Sequence, residues 1–146
     1  MDLILWRHAE ALSGDNDLER VLSARGEKQA RSTAAWLNQR LPENCRILVS
    51  PARRAQQTAA ALGHAYTTIQ ALLPNAQVSD VLSVSGWPDA SGVVLIVGHQ
   101  PALGEVAMFL LDDDFDGLSW TPSCASLCWM RKEEQGASLV TIFTPE

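Results

Sequence analysis

Short apolar runs of strand length alternate along this chain with segments of helical periodicity, and that alternation restricts the fold more than any other feature. Residues 2–6, residues 46–49 and Val93-Val94-Leu95-Ile96-Val97 are strand-length runs. Between the first two, Ser23 is placed to cap a helix whose Ala30, Ala34, Leu37 and Leu41 share one face, with Pro42 as its stop. Ser50-Pro51 reads as a cap followed by proline at the first helical position; Ala55, Ala59 and Leu62 mark the buried face up to Gly63. A weaker helix is expected from Asn75, using Val78, Val81 and Leu82, and another from Pro101, using Leu103, Val106, Ala107 and Leu110. Strands at about 124–131 and 138–143 flank the polar turn Glu133-Glu134-Gln135-Gly136 and read as a hairpin. The expectation is one α/β domain over residues 1–146. It is a three-layer sandwich with a mostly parallel mixed sheet and helices on both faces.

Charge and apolar length narrow the function classes. With a net charge of −6 the chain has no basic excess to neutralise a nucleic-acid backbone. No apolar stretch approaches the roughly 20 residues needed to span a bilayer, and Leu3-Ile4-Leu5-Trp6 is too short for a signal peptide. Cys45, Cys124 and Cys128 are odd in number and form no C-x-x-C pair; Cys124 and Cys128 are spaced to share one face of a strand. Buried thiols in a reducing compartment, hence a cytoplasmic location, are expected. The five tryptophans are too dispersed for an aromatic stacking stripe.

Ligands of open α/β sheets bind beyond the carboxyl ends of the strands. Three polar signals fall there: Arg7-His8 after the first strand, Ser50-Pro51-Ala52-Arg53-Arg54 after the second, and Gly98-His99 after the third. Two of only three histidines thus occupy equivalent places, and nine of the eleven basic residues are arginine, the planar fork suited to phosphate. If Ser50 caps the helix, Arg54 stands at the end of its first turn. Its guanidinium then reaches back over the unpaired N–H groups, where the helix dipole also favours an anion. Arg53 lies about 100° around the helix and reads as solvated.

These residues carry a resemblance. Arg7-His8, Ser50-Pro-x-x-Arg54-Ala-x-x-Thr58, Gly98-His99 and the helix start Leu22-Ser23-x-x-Gly26-x-x-Gln29-Ala30 look like the histidine phosphatase superfamily. The short length and the Arg-His-Ala-Glu opening resemble its SixA-type bacterial phosphohistidine phosphatases. The resemblance implies that His8 is a nucleophile, forming a transient phosphohistidine that water hydrolyses. Arg7, Arg54 and His99 would hold the phosphoryl oxygens, and Arg20, in Arg20-Val21-Leu22-Ser23, would add a further positive contact. It implies no metal or other cofactor. The expected partner is a phosphohistidine-containing protein such as a phosphorelay domain.

The chain also departs from the family's pattern. Relatives with mutase or phosphomonoesterase activity carry a carboxylic acid that protonates the leaving oxygen. Here Gln100 follows His99, and Pro74-Asn75-Ala76 stands where SixA-type relatives read Pro-Glu-Leu. Asp80 and Glu10 are the remaining candidate donors. A broad small-molecule phosphomonoesterase and a catalytically silent phosphate-binding module are the competing readings. A two-histidine metal site is opposed by the adjacent arginines. Asp112-Asp113-Asp114-Phe115-Asp116 reads as a solvated acidic turn, and His64 as an ordinary turn residue.

Overall fold

A computed structural model describes residues 1–111 and 120–146. Strands β1 (Asp2–Arg7), β2 (Arg46–Val49), β3 (Thr67–Thr68), β4 (Val93–Gly98), β5 (Leu127–Lys132) and β6 (Ala137–Phe143) form one sheet in the order β3-β2-β4-β1-β5-β6. The first four are parallel; β5 runs antiparallel to β1, and β6 to β5. Helices α1 (Ala24–Asn38) and α2 (Arg53–Ala60) pack on one face, α3 (Val78–Ser85) and α4 (Ala102–Leu110) on the other. The expected three-layer architecture is therefore present, with β3 as an edge strand too short to be seen in the apolar pattern.

The period-2 geometry of a strand explains how two layers share one sheet. In β1, Leu3 and Leu5 face α3 and α4, whereas Ile4 and Trp6 face α1 and α2. In β4, Val94 and Ile96 take the first face, and Val93, Leu95 and Val97 the second. Both strands are buried on both sides, which is why they read as continuous apolar runs. Replacing a side chain such as Leu5 or Ile96 with alanine would cost about 2–5 kcal/mol.

Several boundaries differ from the expected ones for local reasons. Ser23 does cap α1, its Oγ accepting from the Gly26 N–H at 2.9 Å, but the helix closes at Asn38, before Leu41 and Pro42. Ser50 does not cap α2. The N-cap is Ala52, in extended conformation (ψ 136°), so Pro51 lies outside the helix and Arg54 is its second residue. Helix α3 starts at Val78, three residues after Asn75, because Gln77 and Asp80 form a capping box there. Cys124 precedes β5 and shares no strand face with Cys128; all three thiols are free, and only Cys128 is buried. Among the described residues no helix is long and apolar enough to cross a membrane. The acidic stretch 112–116 lies outside the described residues.

Candidate functional site

Strand register builds the site. Arg7 pairs with Gly98 at the ends of the adjacent parallel strands β1 and β4, so the next residue of each, His8 and His99, stands beside the other. The His8 N–H donates to the Gly98 carbonyl at 3.1 Å, and the two imidazole centroids are 5.1 Å apart. On the other side of β4, Val49 pairs with Val97, which sets Ser50 beside His99. Helix α2 starts three residues later and carries Arg54 over the same strand ends.

Each histidine has one ring nitrogen committed. His8 Nδ1 lies 2.8 Å from the Ala9 carbonyl. A carbonyl only accepts, so Nδ1 carries the proton and Nε2 the lone pair. His99 Nε2 meets the Ser50 hydroxyl at 2.8 Å, and the same Oγ accepts the Ala52 N–H at 3.2 Å. Burial, helped by the charges of Arg54, Arg7 and Arg20, lowers the pKa of His8 from its ordinary 6.5 to about 4; the Ala9 carbonyl opposes the shift. His99 is lowered to about 3 by burial, then by His8 and Arg54, with Asp17 opposing. Both rings are neutral at neutral pH.

The arginines are held by backbone from distant segments. Arg7 Nη1 donates to the Pro122 carbonyl at 2.9 Å. Arg54, only 4% exposed, gives Nη1 to the Asp17 carbonyl at 2.7 Å and Nη2 to the Asp17 carboxylate at 3.2 Å. Arg20 gives Nε to the Leu12 carbonyl and Nη1 to Asp17, so its charge is shared with that carboxylate. Arg53 is exposed and meets Glu19 at 3.6 Å. Among the described residues, three buried side-chain nitrogens lack a hydrogen-bond partner: Arg7 Nε, Arg54 Nε and His99 Nδ1. Leaving buried donors unpaired costs about 1–3 kcal/mol each, more when they are charged. All three belong to residues whose charge or ring bears on His8.

The spacings that carry the resemblance acquire physical reasons here. A Cβ on Gly26 would lie 1.9 Å from the Glu10 carbonyl oxygen, so only glycine lets α1 pack against the loop that follows His8. The Gln29 side chain accepts the Glu10 N–H, and the Ser23 N–H donates to the Glu10 carbonyl. Thr58 Oγ1 accepts the Ala9 N–H at 3.0 Å and donates to the Arg54 carbonyl at 2.7 Å, tying α2 to the same loop. Ala125, at φ 64°, is held in the left-handed region while its carbonyl receives Trp6 Nε1 and Thr33 Oγ1 and its N–H donates to the His8 carbonyl.

The candidate proton donors are engaged elsewhere. Asp80 accepts the Gln77 N–H at the start of α3. Glu10 accepts from the Ser23 hydroxyl and pairs with Arg25 at 3.6 Å. Gln100 turns back to accept the Gly104 N–H on α4. Asn75 is exposed in the turn before α3. Asp17, which sequence reasoning passed over, is the carboxylate in contact with Arg54. Its only signal was position, three residues before Arg20 in the loop leaving His8. Among the described residues no group of three or more His, Cys, Asp or Glu side chains is placed to hold a metal. An apolar groove of about 690 Å³ opens beside α4, lined by Gln100, Pro101, Met108, Phe109 and Trp120 among others, but none of Arg7, His8, Arg54 and His99 lines it.

With this geometry in view, similarity to known proteins is specific. The family model for the histidine phosphatase superfamily (branch 1) matches residues 3–74. The phosphohistidine phosphatase SixA of Escherichia coli (strain K12) is 30% identical over 136 residues, covering 87% of this chain and 84% of that protein. A SixA homolog of Haemophilus influenzae is 30% identical over 145 residues, covering 88% of each. The solved structure of a protein histidine phosphatase SixA complexed with tungstate has the same fold, with a TM-score of 0.80 at 23% identity over 99% of this chain and 97% of that one.

Proposed function

Because the chain belongs to the histidine phosphatase superfamily, we propose that it removes the phosphoryl group from phosphohistidine in proteins through a covalent intermediate on His8. Phosphatase chemistry comes with the family; the substrate class and the role of each residue are our reading. The observation that carries it is the set of three unpartnered buried nitrogens, Arg7 Nε, Arg54 Nε and His99 Nδ1, gathered around a neutral histidine. Three donors suit the three non-bridging oxygens of a phosphoryl group. Two of them are permanent cations, which supplies the charge stabilisation that phosphoryl transfer needs without a metal.

In the first step the lone pair of His8 Nε2 attacks phosphorus, and the P–N bond of the substrate breaks with its electron pair on the departing ring. In the second, water attacks the phosphorus held on Nε2, and phosphate leaves with Nε2 regaining its lone pair. Burial keeps the ring unprotonated and ready to attack. Ser50 donating to Nε2 of His99 places that ring's proton on Nδ1, where it meets a phosphoryl oxygen. Asp80 and Glu10, tied into caps and ion pairs, leave no acid to assist an alkoxide leaving group, which favours phosphohistidine over alkyl phosphates. The partner is a phosphohistidine-bearing protein such as a phosphorelay domain, met by residues 1–146 acting as one domain.

The test incubates purified protein with a phosphohistidine protein and with a panel of phosphomonoesters, each with and without chelator. Faster release from phosphohistidine, unaffected by chelator, is the expected result. Comparable kcat/KM for an alkyl phosphate would replace this reading with that of a general phosphomonoesterase.

A further inference from the structure

The buried Arg54 guanidinium is joined to an exposed carboxylate. Its Nε is buried and unpartnered, whereas Nη1 and Nη2 both end on Asp17. The Asp17 side chain is 57% exposed against 5% for Arg54, so the carboxylate occupies the outer edge of the same guanidinium. It is fixed there: Arg20 holds its other oxygen at 3.0 Å, and Arg20 is itself anchored to the Leu12 carbonyl. The hydrogen bond from Arg20 and that from Arg54 hold the Asp17 pKa below the usual carboxylate range, so the group is an acceptor and not a proton donor.

Displacement at phosphorus is in line. His8 is buried, so in-line displacement sends the leaving group away from it, toward solvent and the exposed side of the site where Asp17 lies. Extending the phosphohistidine reading above, we propose that Asp17 is a specificity-determining residue that accepts a hydrogen bond from the far ring N–H of the substrate's phosphohistidine and holds that ring in its protonated form. The electron balance makes this useful. A ring protonated on the nitrogen that does not carry phosphorus leaves as neutral imidazole, keeping that N–H and taking the P–N electron pair. An unprotonated ring would have to leave as an anion. Free imidazole titrates near 6.5, so a fixed carboxylate is needed to favour the protonated form at neutral pH. The same carboxylate repels a leaving group that departs with negative charge, such as a phenolate. The charged or titratable groups that interact with Asp17 are Arg20 in its own loop, Arg54 from α2 and His99 from the end of β4, and Asp15 and Glu19 flank it in sequence. The two arginines are already hydrogen-bonded to it, and His99 is neutral.

The test compares wild type with Asp17→Asn on a phosphohistidine peptide and on p-nitrophenyl phosphate, with inorganic phosphate affinity measured alongside. Loss of one charge-assisted hydrogen bond predicts that the ratio of the two kcat/KM values falls by on the order of tenfold or more. Asp17→Glu, which keeps the charge, should restore part of that ratio. Equal losses on both substrates, with weakened phosphate binding, would show that Asp17 only positions Arg54 and would overturn this role alone. A wild type that hydrolyses the aryl phosphate and not the phosphohistidine peptide would overturn the substrate reading and this role together.

Discussion

Ser50 Oγ and His99 Nε2 are 2.8 Å apart, a bond that crosses from the end of β2 to the end of β4 and selects which nitrogen of His99 faces the candidate pocket. In the proposed arrangement Ser50 is the donor, so Ser50→Ala frees the ring to carry its proton on Nε2. The expected loss in kcat/KM is about tenfold, the worth of one buried hydrogen bond. The Tm, measured beside the kinetics, should fall by a few degrees, because the buried Ser50 hydroxyl also accepts the Ala52 N–H. An unchanged kcat/KM would mean that the tautomer of His99 does not matter.

Removing the nucleophile has a sharper signature than removing a phosphate contact. His8→Ala should abolish turnover, and the acid-labile radiolabel expected on wild-type protein during the reaction should be missing from it. Arg54→Ala should retain a labelled intermediate while losing on the order of 10²–10³ in rate. Label persisting on His8→Ala would place the phosphoryl group on another residue.

Acid should weaken the fold through the same two rings. In the unfolded chain His8 and His99 take up protons near 6.5, but in the folded chain only near 4 and 3. The unfolded state therefore binds more protons throughout that window, and stability falls as pH drops from 6.5 toward 3. Each ring accounts for a few kcal/mol. Denaturant titrations at pH 7 and pH 4.5 measure the difference, and His99→Asn should flatten it. The acid limb of activity belonging to His8 should lie near pH 4; titration of that nucleophile near 6.5 would contradict its burial among cations.

Gly26 is the most intolerant position of α1. With a Cβ only 1.9 Å from a backbone oxygen of Glu10, Gly26→Ala must push the helix or the loop aside. Overpacking of this kind costs about 1–3 kcal/mol or more. A fall in Tm of at least about 3 °C is expected, with a loss of activity, because Glu10 lies two residues from His8. An alanine variant with wild-type Tm would show that the contact is easily relaxed.

The layers and the strand ends were legible because they rest on local patterns. Leu3 to Trp6 and Val93 to Val97 read as buried strands, and His8 and His99 as residues just beyond strand ends, from spacing alone; the turn that carries Arg54 was misplaced with its cap. What could not be read depends on contacts between distant segments. Asp17 looked like any loop acid until Arg54 was found 37 positions away. Ser50 looked like a helix cap because cap and imidazole partner use the same residue type; only the neighbouring strand end decides between them. Trp36, Trp129 and Phe143 are far apart in sequence, and only hairpin formation stacks Phe143 on Trp36 at 4.8 Å and sets Trp129 against the edge of Trp36.

The place of β1 in the sheet has a consequence for the order of assembly. It is the first strand made, yet its neighbours are the fourth and fifth, so Leu3 must wait for Val94 and then for Met130 before its backbone is paired on both sides. The partner of Arg7 is 115 positions away and that of Trp6 is 119 positions away. Closures of such length are slow, and unpaired apolar strands are open to association while they wait. During synthesis the segment bearing His8 is thus an uncovered hydrophobic strand, and the pairing of His8 with His99 and of Arg7 with Pro122 exists only once most of the chain has emerged.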